Sequence, residues 1–124
     1  MIKTYMIKMA EDVSFNDIIK NTLFVFEKFN QRQQRKWTNE SAIIELSKQV
    51  GDLSKRVMMY EKYYLSDREQ LPSYKTGLKE IGDELSDILY CIIVIAHLYD
   101  INLEQAHIQA LREALVDLDE RSPF

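Results

Sequence analysis

Glu80, Glu84 and Asp87 recur at intervals of four and three, and the same intervals continue through Cys91, Val94 and Leu98. At about 100° per residue these positions lie on one narrow stripe of a helix, acidic in its first half and apolar in its second. Ionised carboxylates turned toward a packed interior carry a large desolvation cost unless cations or hydrogen bonds compensate them, so the pattern suggests a metal site rather than a solvated edge. A second seam with the same spacing joins Glu45, Gln49, Asp52, Arg56 and Met59, with Lys48 beside it. If the two helices pack antiparallel, Asp52 meets Glu84 and Asp87. Three carboxylates on facing helices can hold a hard divalent cation such as Mg2+, which takes oxygen ligands and often shares them with substrate phosphates. A cation held this way polarises a phosphoryl oxygen and lowers the pKa of a bound water that attacks a phosphoanhydride.

The scaffold that must position these residues is read from composition. A chain of 124 residues suffices for one domain with a core of its own, expected to run over residues 1–124. Hydrophobic residues make up 46% and charged residues 29%, and only 3 glycines and 2 prolines are present, which favours an all-α protein over a turn-rich β fold. The formal net charge of −4 argues against a general nucleic-acid binder, because phosphate neutralisation needs a clustered excess of Lys and Arg. Cys91 is the one cysteine; it lies in the apolar half of its seam, reads as a small buried hydrophobe and suits a reducing compartment. Residues 1–10 lack the apolar region and small-residue cleavage site of a signal peptide. The longest apolar run, Ile88 to Ala96, is about half of the roughly 20 residues that cross a bilayer. A soluble, cytoplasmic protein with no membrane partner is expected.

Residues 1–13 read as a tail or as an arm that docks on a partner subunit. Ser14 with Asp17 has the spacing of a helix start, and Phe15, Ile18, Ile19, Thr22, Leu23, Phe26 and Phe29 follow helical periodicity to about Asn30. The polar and basic stretch from Gln31 to Lys36, anchored by Trp37, is a connector. Thr38 or Asn39 can cap a second helix whose inner stripe would be Ile43, Leu46, Val50, Leu53, Val57 and Tyr60. Residues 63–75, with Ser66, Asp67, Pro72 and Ser73, break the period and read as a loop long enough to act as a lid. A third helix from about Gly77 to Tyr99 carries the stripe Leu78, Ile81, Leu85, Ile88, Leu89, Ile92, Ile93 and Ala96. From Tyr90 onward it is apolar on almost every side, which calls for the centre of a bundle or a subunit interface. Asn102 and Gln105 open a fourth helix through Leu103, Ala106, Ile108, Leu111, Leu115 and Leu118, with Pro123 as its stop.

The runs from Leu46 to Leu53, from Asp83 to Tyr90 and from Tyr99 to Ala106 together resemble the MazG-type nucleoside triphosphate pyrophosphohydrolases, over roughly Asn39 to Ala106. The resemblance implies a four- to five-helix bundle of the MazG-like type, completed by association into a homodimer or a dimer of dimers. It also implies Mg2+- or Mn2+-dependent hydrolysis of a (d)NTP, or a modified NTP, to the monophosphate and pyrophosphate. On that resemblance Glu84 and Asp87 match the family's ExxD, and Asp52 matches the third acid of its EExxE. Asp52, Glu84 and Asp87 are therefore the expected catalytic and metal-holding residues.

Lys48 and Gln49 stand where the family has its paired glutamates, a change of three charge units against a divalent cation. Glu45, one turn earlier, and the Gln49 amide oxygen would complete the metal ligands, while Lys48 and Arg56 would contact substrate phosphate. The alternative is that Lys48 or Arg56 pairs with Glu84 and Asp87 in place of the metal. The chain is then a catalytically impaired MazG-like protein that binds a nucleotide or a protein partner. A third reading is a structural helical dimer whose acids only form salt bridges between helices.

Plainer roles account for other residues. Glu80 and Asp83 sit in the first turns of their helix, where acids favour the positive end of the macrodipole. His97 reads as a packed or interface residue rather than a ligand, and Trp37, Tyr60, Tyr63, Tyr64 and Tyr74 as core or interface residues rather than base-stacking ones. Arg121 with Pro123 loosely resembles the basic residue and proline that follow the family's last helix, but Arg121 reads first as a solvated tail residue.

Overall fold

The computed structural model describes residues 12–123, apart from the side chain of Glu69; most of the expected N-terminal arm, residues 1–11, lies outside the described residues. The described chain is helical, with no strand: α1 (Phe15–Arg32), α2 (Asn39–Tyr60), a single turn α3 (Ser66–Glu69), a 3₁₀ turn (Pro72–Tyr74), α4 (Leu78–Leu98) and α5 (Leu103–Asp117). None of these helices is long and apolar enough to cross a membrane.

Each long helix starts where a side chain can satisfy its free N–H groups. Ser14 Oγ accepts from the Asp17 N–H at 3.1 Å, and the Asp17 carboxylate accepts from the Ser14 N–H at 3.2 Å. Thr38 does the same with Ser41, whose hydroxyl takes the Thr38 N–H at 2.8 Å. Glu80 reaches back to the Gly77 N–H at 3.1 Å, so its carboxylate serves the start of α4, as its position in the first turn suggests. Asn102 Oδ1 accepts from the Gln105 N–H at 3.0 Å.

The helix ends share one solution. After α2, α4 and α5 the chain turns through a left-handed residue, Lys62, Asp100 or Asp119, with φ of 63°, 56° and 56°. The next N–H returns to a carbonyl five residues back, Tyr63 to Met58, Ile101 to Ala96 and Glu120 to Leu115, within 3.0 Å. This is the Schellman arrangement, built without glycine. It stops α5 at Asp117, ahead of Pro123, which the sequence marks as the stop. Residues 63–75 are likewise more ordered than a plain loop, because Pro72 starts a 3₁₀ turn and Ser66 opens a helical one.

The chain divides into two compact units. One contains α1, the last turn of α4 from Ala96, and α5. Here Phe26 is buried and meets the His97 ring edge-on, with centroids 6.4 Å apart, while His97 itself is exposed rather than packed. Ile18, Ile19, Thr22 and Leu23 are half-buried, while Phe29, assigned to the same stripe, is exposed.

The other unit, Trp37–Ile95, holds α2, the two short turns and most of α4. Ala42, Met59, Cys91, Ile93 and Val94 are its buried residues. The seam through Cys91 and Val94 is therefore an inward one, as its spacing indicates. The stripe expected to face inward on α2 does so only in part: Leu46 and Leu53 are half-buried, but Ile43, Val50, Val57 and Tyr60 are exposed, whereas Glu45, Gln49, Asp52 and Arg56 are all half-buried. Arg56 on α2 pairs with Glu84 on α4 from this polar seam. Leu78, Leu85, Leu89 and Ile92 of α4 are exposed as well.

Candidate functional site

The acidic and basic residues singled out by spacing all lie in the unit Trp37–Ile95, on α2 and α4. Arg56 bridges the two helices: its Nε lies 3.5 Å from Glu84 Oε1, with the Glu84 side chain 14% exposed. One to two turns earlier on α2, Lys48 Nζ stands 3.2 Å from Asp52 Oδ2 and 3.8 Å from Glu45 Oε1. Gln49 donates its side-chain amide to Glu45 Oε1 at 2.9 Å. Lys48 and Gln49 thus present hydrogen-bond donors to neighbouring carboxylates from the positions that the resemblance assigns to ligand glutamates.

The electrostatics follow this pairing. The hydrogen bond and charge of Asp52, then the charge of Glu45, hold the Lys48 ammonium above the usual lysine range, and Glu84 adds a weaker pull. Burial pushes the Cys91 thiol up, and Glu45 and Asp87 push it further, so it stays protonated as a small core hydrophobe. The influence of Glu45 on Cys91 and of Arg56 on Glu84 fits two helices running antiparallel. Asp87 is exposed, and no ion pair ties it to Lys48 or Arg56 among the described residues. Asp83 pairs with Lys79 at 2.9 Å on the open surface of α4, where such pairs contribute little.

Asp52, Glu84 and Arg56 line a cavity of about 230 Å³ together with Lys55 and Ser73. Asp52 and Glu84 thus line one cavity, with Arg56 paired to Glu84. Among the described residues no group of three or more His, Cys, Asp or Glu side chains is placed to hold a metal ion. The donors of the chain itself fit these carboxylates: guanidinium on Glu84, ammonium on Asp52 and Glu45, amide on Glu45.

Lys55 and Ser73 escaped the sequence reading. Lys55 falls between the two seams of α2, and the 3₁₀ turn that brings Ser73 and Tyr74 to this helix has no periodicity to read. Lys55 Nζ lies 5.4 Å above the Tyr74 ring, and Tyr64 meets that ring edge-on at 5.2 Å. These contacts pin the turn to α2. No family model matches the chain, and neither the curated proteins nor the solved structures contain a match to it.

Proposed function

We propose that this chain is a MazG-like helical protein whose Glu45, Asp52 and Glu84 carboxylates are paired with its own cations, and that it works by binding a nucleotide or a protein partner rather than by metal-dependent hydrolysis. The observation that supports this most directly is Arg56 on Glu84, with the Glu84 side chain only 14% exposed. Lys48 on Asp52 and Glu45 completes the pattern. Hard-ion affinity depends on the number and charge of free oxygen ligands, and each cation here removes one from use. The test is pyrophosphate release from a panel of nucleoside triphosphates with Mg2+ or Mn2+. The expected result is no turnover at high protein concentration; metal-dependent release that disappears in Glu84→Ala or Asp87→Ala would overturn the proposal.

That outcome would establish the second reading, an Mg2+-dependent pyrophosphohydrolase using Asp52, Glu84 and Asp87. The cavity shared by Asp52 and Glu84 favours it, since a phosphate there would also meet Lys55 and Arg56.

On either reading the protein is a homodimer. Ile43, Val50 and Val57 recur every seven residues on α2, and Leu78, Leu85 and Ile92 do so on α4, all exposed. Such stripes are the raw material of helix packing against a second apolar surface. Sedimentation is expected to give a dimer that Val50→Lys with Leu85→Lys dissociates; a wild-type monomer at high concentration would contradict it.

A further inference from the structure

A second cavity, of about 440 Å³, opens beside the 3₁₀ turn and is lined by Met59, Tyr60, Lys62, Tyr74, Lys75 and Thr76. Its wall contains two lysines and no acid. Among the described residues neither lysine is in salt-bridge contact with a carboxylate. Thr76 Oγ1 is buried and finds no hydrogen-bond partner in the protein. An orphaned buried hydroxyl costs about 1–3 kcal/mol, so it calls for an explanation. Lys62 adds another cost, because it occupies the left-handed position after α2, with φ of 63°, where glycine is the unstrained choice. The strained corner nonetheless places a lysine in the cavity lining.

We propose that this cavity binds a small molecule in which a sugar joins a phosphomonoester to an aromatic ring, a nucleoside monophosphate, and that it does so without a metal. The proposal rests on the reading above that the chain binds nucleotides, and it places the ligand in this cavity instead of over the carboxylates. Lys62 and Lys75 supply two positive charges for a phosphate dianion. Tyr60 and Tyr74 supply flat apolar surface for a ring. Tyr74 is already fixed by Tyr64 and Lys55, so its ordering is not a cost of binding. The cavity volume falls within the range of about 300–1,000 Å³ usual for small-molecule sites.

The experiment is titration calorimetry of the full chain in EDTA with AMP, GMP, CMP and UMP, compared with inorganic phosphate and with the parent nucleosides. At least one monophosphate is expected to bind tenfold or more tightly than phosphate alone or its nucleoside, with affinity falling as salt rises. Lys75→Gln and Lys62→Gln, both at exposed positions, are each expected to weaken it at least tenfold, while Lys79→Gln on the open surface of α4 leaves it within twofold. Equal binding of inorganic phosphate overturns the proposal, as does binding that requires Mg2+ or that ignores both lysine substitutions, or no binding at all. Pyrophosphate release in the hydrolysis assay would refute the non-catalytic reading of the carboxylates while leaving nucleotide binding in place, and the metal-free titration would still decide whether this cavity is a site.

Discussion

An Arg56→Met protein is expected to lose about 2 kcal/mol of stability, and Arg56→Met combined with Glu84→Gln to recover most of it. The single substitution keeps the length of the side chain but leaves the Glu84 carboxylate, whose side chain is 14% exposed, without its cation. The penalty is that of an uncompensated charge in a poorly hydrated place. It is larger than the net value of the pair, because desolvation of both ions already offsets most of their attraction. Removing the charge from Glu84 as well leaves an amide that asks for much less. Urea unfolding of the single and double variants gives the coupling directly. A single variant as stable as the parent would mean that Glu84 is solvated and that Arg56 does not restrain it. The cycle also bears on function, since a carboxylate that needs its arginine to stay folded is not free to serve as a metal ligand.

Ile93→Ala is expected to cost more, about 3 kcal/mol, and Ile93→Val about 1 kcal/mol. Ile93 is 2% exposed and its neighbour Val94 is fully buried, so the lost methyl groups leave a cavity that the surrounding chain fills only in part. For a chain of this length 3 kcal/mol corresponds to a fall of about 10 °C in the thermal midpoint. Differential scanning calorimetry checks it. An unchanged midpoint would mean that this stretch of α4 is not packed. Leu85→Ala, at a position 52% exposed in the single chain, provides the contrast. A small effect in dilute protein that grows with concentration would locate Leu85 at the contact between copies.

Much of this was legible in the residues themselves. Ser14 with Asp17, Thr38 before an apolar period, and Asn102 with Gln105 announced three helix starts, because capping depends on side chains within one turn. The seam from Glu80 to Leu98 was read correctly as an inward one, with Asp87 alone on the outside. Two things were not legible. The stripe Ile43, Val50, Val57 has the pattern of a core face, and periodicity cannot tell a core from an interface that awaits a second surface. The ends of α2, α4 and α5 carry no glycine, so the left-handed turns at Lys62, Asp100 and Asp119 left no mark in the sequence. For the candidate site, spacing put Asp52, Arg56 and Glu84 on two seams that line one cavity, and only the side-chain geometry shows that Arg56 pairs with Glu84 while Lys48 pairs with Asp52. Lys62, Lys75 and Thr76 come from the corner after α2 and the end of the 3₁₀ turn, where no local pattern joins them.

Those glycine-free corners have a consequence beyond the path of the chain. Glycine at positions 100 and 119 would relax the backbone at both turns. Each exchange would also delete a negative charge, and the two together would take the formal net charge from −4 to −2. Like charge keeps copies of a protein apart in solution, so the easier backbone would come with weaker colloidal repulsion. At these two corners conformational ease and dispersal pull in opposite directions, and the aspartates keep the charge at the expense of the backbone.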